Sequence, residues 1–214
     1  MGTHTLMSAF LAIACSNCSG DKQKVMLPFF NSASLTPEWI SPTSPAYNHI
    51  HAVAPFDLYD QEGNKVSDDT FKGNPYVANF FFTTCPGLCP KLGASFKSLQ
   101  DSLQSGEVKL VSHTVMPSYD SVAVLKRYAD NNGVIAGRWF LLTGEKSQLY
   151  ELARNSYFAD KNFNDTGELS EFIHTENILL VDSQSRIRGV YNGTLTYEIN
   201  RLLRHIKILQ DEKE

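Results

Sequence analysis

Tyr76-Val77-Ala78-Asn79-Phe80-Phe81-Phe82 runs directly into Thr83-Thr84-Cys85-Pro86-Gly87-Leu88-Cys89-Pro90, and beyond it Leu92, Phe96, Leu99 and Leu103 recur at helical spacing. The first seven residues predict a strand covered on both faces, because a nearly unbroken apolar run leaves no side for solvent. The Pro- and Gly-broken turn ends that strand. The period of about 3.6 residues after Pro90 predicts a helix. The two cysteines therefore lie where a buried strand hands over to a helix.

Working outward, residues 54–59 alternate apolar and polar, Asp60-Gln61-Glu62-Gly63 supplies a turn, and Lys65-Val66-Ser67 returns as a small β-hairpin. Downstream, residues 108–115 read as a strand. Asp120 or Ser121 is placed to cap a helix carrying Val124, Leu125 and Tyr128. Residues 139–142 form a short strand, and Leu149, Leu152 and Ala153 mark a further helix. Residues 160–172 are polar and aperiodic and are expected as a loop. Residues 177–181 and 187–191 are strands around a turn at Asp182, and Ile199, Leu202, Leu203, Ile206 and Leu209 line one face of a closing helix. Alternating strands and helices predict an α/β sheet, with hairpins adding antiparallel strands. A strand ending in a cysteine turn and then a helix is the thioredoxin pattern. The expected fold is α/β and thioredoxin-like, with an added N-terminal β-hairpin and antiparallel strands.

The amino end is organised differently. Residues 6–14, LMSAFLAIA, are too few to span a bilayer, which needs about 20 apolar residues. Their length suits the apolar part of a secretory signal. Ala12-Ile13-Ala14-Cys15 resembles a bacterial lipobox, which would make Cys15 a lipidation site. Two features depart from that pattern: Ala12 stands where Leu is commoner, and no Lys or Arg precedes the apolar block. An ordinary signal peptide or a disordered tail is the alternative. Cys18 has no assigned role. The organisation expected is a signal and lipobox segment over 1–15, a tether and irregular lead-in over 16–48, and the globular domain over 49–214. Within the lead-in, Leu27-Pro28-Phe29-Phe30 and Trp39-Ile40 are too apolar for a pure linker and are expected to pack on the domain as an edge strand.

With 214 residues the chain can bury one substantial core. A net charge of −4 with scattered signs argues against nucleic acid as a partner. Four cysteines in two separate pairs are too few for a disulfide scaffold in a chain this long.

Cys85 and Cys89 are spaced C-x-x-x-C. With Cys89 in the first helical turn, both sulfurs reach the helix amino end, where free N–H groups and the helix dipole favour a thiolate. Such a pair either closes a disulfide or clamps a soft metal ion, Cu(I) or Zn. Two buried, inert core cysteines are the bland alternative. Six histidines are candidates for a third donor. His4 lies in the expected leader, His49 and His51 are read as surface residues, His113 as a satisfied core or half-buried residue, and His205 as a surface residue on the last helix. His174 stands just before the strand at 177–181, at the loop that faces the cysteine turn in a thioredoxin-like fold. Two thiolates and one neutral imidazole would make a trigonal copper site.

These residues together resemble the Sco/SenC family. Phe80-Phe81-Phe82-Thr83-Thr84-Cys85-Pro86-Gly87-Leu88-Cys89-Pro90 resembles its T-x-C-P-x-x-C-P motif. Phe56-Asp57-Leu58, Asp60-Gln61-Glu62-Gly63 and Phe71-Lys72-Gly73 resemble the preceding hairpin. Trp139 to Gly144 resembles W-x-x-L-T-G, His174-Thr175 with Leu179-Leu180-Val181-Asp182 resembles the metal-binding histidine and its strand, and Gly189-Val190-Tyr191-Asn192-Gly193 resembles the closing G-x-Y-x-G. One departure is Met116-Pro117 where the family usually has Asp-Pro.

The resemblance implies a metallochaperone that holds copper through Cys85, Cys89 and His174, as Cu(I) with Cu(II) left open. It implies delivery to the Cu(A) site of cytochrome c oxidase subunit II. The alternative is a thiol-disulfide oxidoreductase that uses Cys85 and Cys89 to keep the Cu(A) cysteines reduced. Other copper chaperones or thioredoxin-like reductants are further partners on this account. The implied location is the cell envelope, with the domain in the periplasm or on the outer side of the cytoplasmic membrane, held there by a lipid anchor. A peroxiredoxin-like peroxidase fits less well, because two neighbouring cysteines occupy the turn. A structural zinc site would want a fourth protein ligand, and the sequence names none.

Overall fold

The computed structural model describes residues 25–103, 108–159 and 175–212. At its centre is a five-stranded sheet in the order β7-β6-β5-β8-β9. Here β5 is Tyr76–Phe81, β6 Lys109–Thr114, β7 Trp139–Leu142, β8 Asn177–Val181 and β9 Ile187–Asn192. The three strands β5, β6 and β7 run parallel, while β8 and β9 are antiparallel additions. All six residues of β5 are buried, as its apolar run requires of a central strand.

Each face of the sheet carries its own core. On one face pack α1 (Cys89–Ser102), α2 (Val122–Asn132) and α4 (Thr196–Asp211), with Leu92, Phe96, Leu99, Leu125, Leu202 and Ile206 against Val77, Leu110 and Leu180. On the other lie the hairpin β3 (Asp57–Tyr59) and β4 (Lys65–Ser67), and α3 (Lys146–Glu151), which continues as a wider π-turn over Leu152–Ser156. Phe56, Leu58, Val66, Leu149 and Tyr157 meet Phe80, Val111 and Leu179 there. This is the mixed α/β, thioredoxin-like arrangement expected from the order of elements. Strands β7 and β8 fall on the expected residues, and β6 is one residue shorter at each end.

The apolar lead-in departs from expectation. Phe29–Phe30 (β1) pairs only with Pro37–Glu38 (β2) in a separate two-stranded ladder, so it is not an edge strand of the main sheet. Leu27, Phe29 and Phe30 are buried, but Trp39 is 69% exposed. The buried anchor is held by Arg188, whose guanidinium donates to the carbonyls of Leu27 and Pro28 at 2.7 and 3.1 Å.

The directions of the strands define two poles. The parallel strands all end at one of them, where the cysteine turn leaves β5. Because β8 is antiparallel to β5, the β8–β9 turn around Asp182 lies at the other, together with Leu27, Pro28 and the end of α4.

Candidate metal centre

The cysteine turn is built on the end of β5. Phe81 pairs with Thr114, and Val115 donates to the Phe81 carbonyl at 2.9 Å. Beyond that point Thr83 is held by Asp120. Its backbone N–H lies 3.3 and 3.4 Å from the two carboxylate oxygens and its hydroxyl donates to the same group. Thr114 also donates its hydroxyl to Asp120. Asp120 is fully buried, so this carboxylate ties the ends of two adjacent strands together beneath the turn. It does not cap α2, which was one of the roles expected of it. Ser121 occupies the N-cap position there, without a side-chain hydrogen bond.

Cys89 is the first residue of α1, and Pro90 follows in the first turn, where its missing N–H removes no helical bond. Leu88 at the N-cap supplies no side-chain acceptor. The Cys85 sulfur takes that place. Partial burial pushes its thiol up, but hydrogen bonds from the Cys89 backbone and side chain and from the backbone of Gly87 and Leu88 outweigh this and lower it overall. Cys89 moves the other way. Burial, the hydrogen bond and charge of Cys85, and the charge of Asp120 push it up to about 12, against a lowering bond from the Phe82 backbone. Both cysteines are free thiols, Cys85 half-buried and Cys89 buried. The pair therefore sets a lowered thiol on the solvent side above a raised, buried one. A soft cation held by both sulfurs must displace the proton of the buried thiol.

Tyr128 of α2 stands beside the pair. Burial and then the charges of Cys89, Asp120 and Cys85 push its phenol up to about 12. A Cβ at position 93 would come within 3.0 Å of the Tyr128 hydroxyl, so Gly93 gives α1 room beneath that ring. Gly193 does the same from β9, where a Cβ would lie 2.5 Å from Leu92 and 2.6 Å from Ile178. Its carbonyl accepts from Ser95 of α1 at 2.6 Å.

The third expected donor, His174, lies outside the described residues, as does Cys15. Its neighbour Thr175 is placed. Ala78 pairs with Leu179 in the antiparallel β5–β8 ladder, and counting on by two-residue steps sets Thr175 level with Phe82, at the cysteine pole. Among the described residues no group of three His, Cys, Asp or Glu side chains is gathered as a metal site. The donor set on hand is thus two sulfurs, which suits a soft ion and falls short of a closed tetrahedral zinc site.

The remaining histidines are elsewhere. His49 is exposed, as expected. His51 is not a free surface residue: its Nε2 lies 2.8 Å from the Ser156 carbonyl and its ring 4.4 Å from that of Phe158. His205 is half-buried on the last helix and engaged rather than free, its Nδ1 lying 2.8 Å from the Tyr191 hydroxyl. His113 is wholly buried as expected but not satisfied. Among the described residues neither ring nitrogen has a partner, and burial pushes the imidazole down to about 3. Sequence reasoning passed over Asp120 as the anchor of the turn and Tyr128 as its neighbour. The available signal was a buried-strand Thr on each side, Thr83 and Thr114, with one carboxylate close in sequence to the second.

Comparison with known proteins agrees with this geometry. A SCO1 protein homolog of Bacillus subtilis is 30% identical over 160 residues, covering 73% of this chain and 82% of that one. The structure of BsSco, a member of the Sco family of cytochrome c oxidase assembly proteins in which a disulfide switch was identified, matches with a TM-score of 0.63 at 29% identity. The match covers 74% of this chain and 92% of the other. A SCO1/SenC family lipoprotein from Bacillus anthracis matches with a TM-score of 0.64 at 25% identity, over 75% and 95% of the two chains. Copper-bound ScoI of Bradyrhizobium japonicum shares the fold, with a TM-score of 0.56 at 23% identity over 74% and 99%. The SCO1/SenC family model spans residues 45–209, from the short helix before the hairpin to the last turns of α4. With the cysteine turn, the two-faced sheet and that span in agreement, the chain belongs to the SCO1/SenC family.

Proposed function

We propose that this protein is a copper metallochaperone that binds Cu(I) between Cys85 and Cys89, with His174 as third donor, and delivers it to the Cu(A) site of cytochrome c oxidase subunit II. The observation that carries this is the pairing of two free thiols at one helix amino end, with hydrogen bonds there lowering the Cys85 thiol. Thiolates select Cu(I), and a neutral imidazole completes a trigonal set. The copper-bound and oxidase-assembly relatives support the metal and the client. Cys15 would carry a diacylglyceryl group, whose two chains meet the requirement for stable anchoring, and the domain would work outside the cytoplasmic membrane.

The test is Cu(I) loading of the reduced chain. One copper per chain is expected, with two sulfur donors and one nitrogen donor by X-ray absorption. Cys85→Ser or Cys89→Ser each abolishes tight binding. Full affinity in either variant removes the site.

A second function, thiol-disulfide oxidoreductase, is favoured by the asymmetry of the pair. A more exposed, lowered thiol above a buried, raised one is the arrangement of an attacking and a resolving cysteine. An apo Cu(A)-domain fragment separates the two. The chaperone transfers copper to it, and the reductase reduces its disulfide with copper absent.

A further inference from the structure

We propose that the thioether sulfur of Met116 is an additional copper donor at the cysteine pole, an inference that rests on the copper-binding function above. Met116 is the first residue after β6 to leave the core and is 40% exposed. Its backbone is nonetheless pinned. Its N–H donates to the Thr114 hydroxyl at 3.0 Å, and its carbonyl accepts from Tyr119 and Asp120 at 2.9 and 2.8 Å. Asp120 in turn binds the N–H and hydroxyl of Thr83. Met116 and Thr83 are thus tied through one buried carboxylate, and Cys85 follows Thr83 by two residues.

The register makes the distance short. Phe81 pairs with Thr114 as the last pair of the parallel ladder, and Thr83 and Met116 each follow that pair by two residues. Strands about 4.8 Å apart, with two further residues to Cys85, separate the Met116 and Cys85 backbones by on the order of 8 Å. A methionine with three rotatable bonds and a cysteine reaching toward each other span that gap. The chemistry matches as well. Thioether sulfur is a soft donor that selects Cu(I) with thiolate, and a trigonal copper set accepts a long, weak thioether on its axis. The other described methionine, Met26, lines the cavity beside Arg188 at the opposite pole and serves as an internal control.

The experiment is X-ray absorption at the copper edge on the full chain with selenium in place of methionine sulfur, loaded with Cu(I), compared with Met116→Leu and Met26→Leu prepared alike. Leu keeps the volume of a half-exposed side chain, so folding is preserved. Copper–selenium scattering is expected in the parent and in Met26→Leu and is lost in Met116→Leu, where Cu(I) affinity falls about tenfold. Copper bound by two sulfurs and no selenium overturns the Met116 donor and leaves the copper site standing. Copper–selenium scattering that survives Met116→Leu also overturns it. If the reduced chain binds no copper, both the donor and the proposed function fall together.

Discussion

The two poles of the sheet both gather polar side chains, and they use them in opposite ways. At the pole away from the cysteines, Arg188 is 2% exposed and every contact it makes is matched. It pairs with Glu212 at 2.8 Å and Asp182 at 3.4 Å, donates to two lead-in carbonyls and lies 4.2 Å from the centroid of Phe29. Arg186 pairs with Asp182 at 2.8 Å. At the cysteine pole the Asp120 network is satisfied in the same way, but above it two thiols face each other with only one proton readily given up. A cluster whose donors and acceptors are matched holds the fold. A cluster with spare soft donors on top of such a support is where a ligand can act.

Breaking the matched pole should have the largest effect. Arg188→Met removes the cation from a buried ion pair, leaving the Glu212 carboxylate with the Leu27 N–H at 2.8 Å but no countercharge from Arg188, and taking the guanidinium donor from two carbonyls. The expected cost is about 3–5 kcal/mol, because an uncompensated buried charge remains. Urea unfolding measures it, and copper stoichiometry in the folded fraction should stay at one per chain. A copper affinity that drops along with stability would show that the poles are not separate.

Asp120→Asn tests the support of the site and should cost less, about 2 kcal/mol, since the amide still accepts but presents an N–H to donors it cannot serve. It should also act on the thiols. Asp120 is one of the charges that raise Cys89, so the Cys89 thiol should ionise at lower pH in the variant. Alkylation rate against pH reads this directly. An unchanged Cys89 profile would make Asp120 a strand tie without influence on the sulfurs.

Much of this was visible in the sequence, and the parts that were not have a common cause. The run from Tyr76 to Pro90 is decided by local pattern, an apolar strand, a broken turn and a periodic helix, and the structure keeps all three. The Arg188 cluster has no local pattern, because its guanidinium meets carbonyls 160 and 161 residues earlier and a carboxylate 24 residues later. Asp120 reads from its neighbours as a helix cap because that role is local, but it caps no helix and its partner Thr83 is 37 residues away. His205 reads as a surface residue on an amphipathic helix until β9 brings Tyr191 to it. The lead-in was recognisably apolar, but two residues of ladder are too few to declare which partner they choose.

His113 sharpens the comparison from a third place, since it is buried polar chemistry without a hydrogen-bond partner among the described residues. It sits on β6 with ring centroids of Phe80, Tyr157 and Phe56 at 5.2, 5.3 and 5.6 Å. The Tyr157 hydroxyl bonds that of Tyr76 at 2.9 Å and makes no hydrogen bond to the imidazole. An unsatisfied buried polar group is a net cost, so His113→Leu should raise stability at pH 7 by about 1 kcal/mol. The pH dependence gives a second, independent sign. Burial lowers the folded imidazole from 6.5 to about 3. Between those values the unfolded chain binds a proton that the folded chain refuses. Stability is therefore full above pH 6.5 and falls by about 1.4 kcal/mol for each pH unit as acid is added toward 3. His113→Leu should remove that slope. Urea midpoints at pH 7, 6, 5 and 4 distinguish the outcomes: curves separated by a small, constant gap near neutral pH and by a widening one in acid identify His113 as the titrating group. Parallel curves would mean that the imidazole finds a partner in solution and that burial without partners does not describe it.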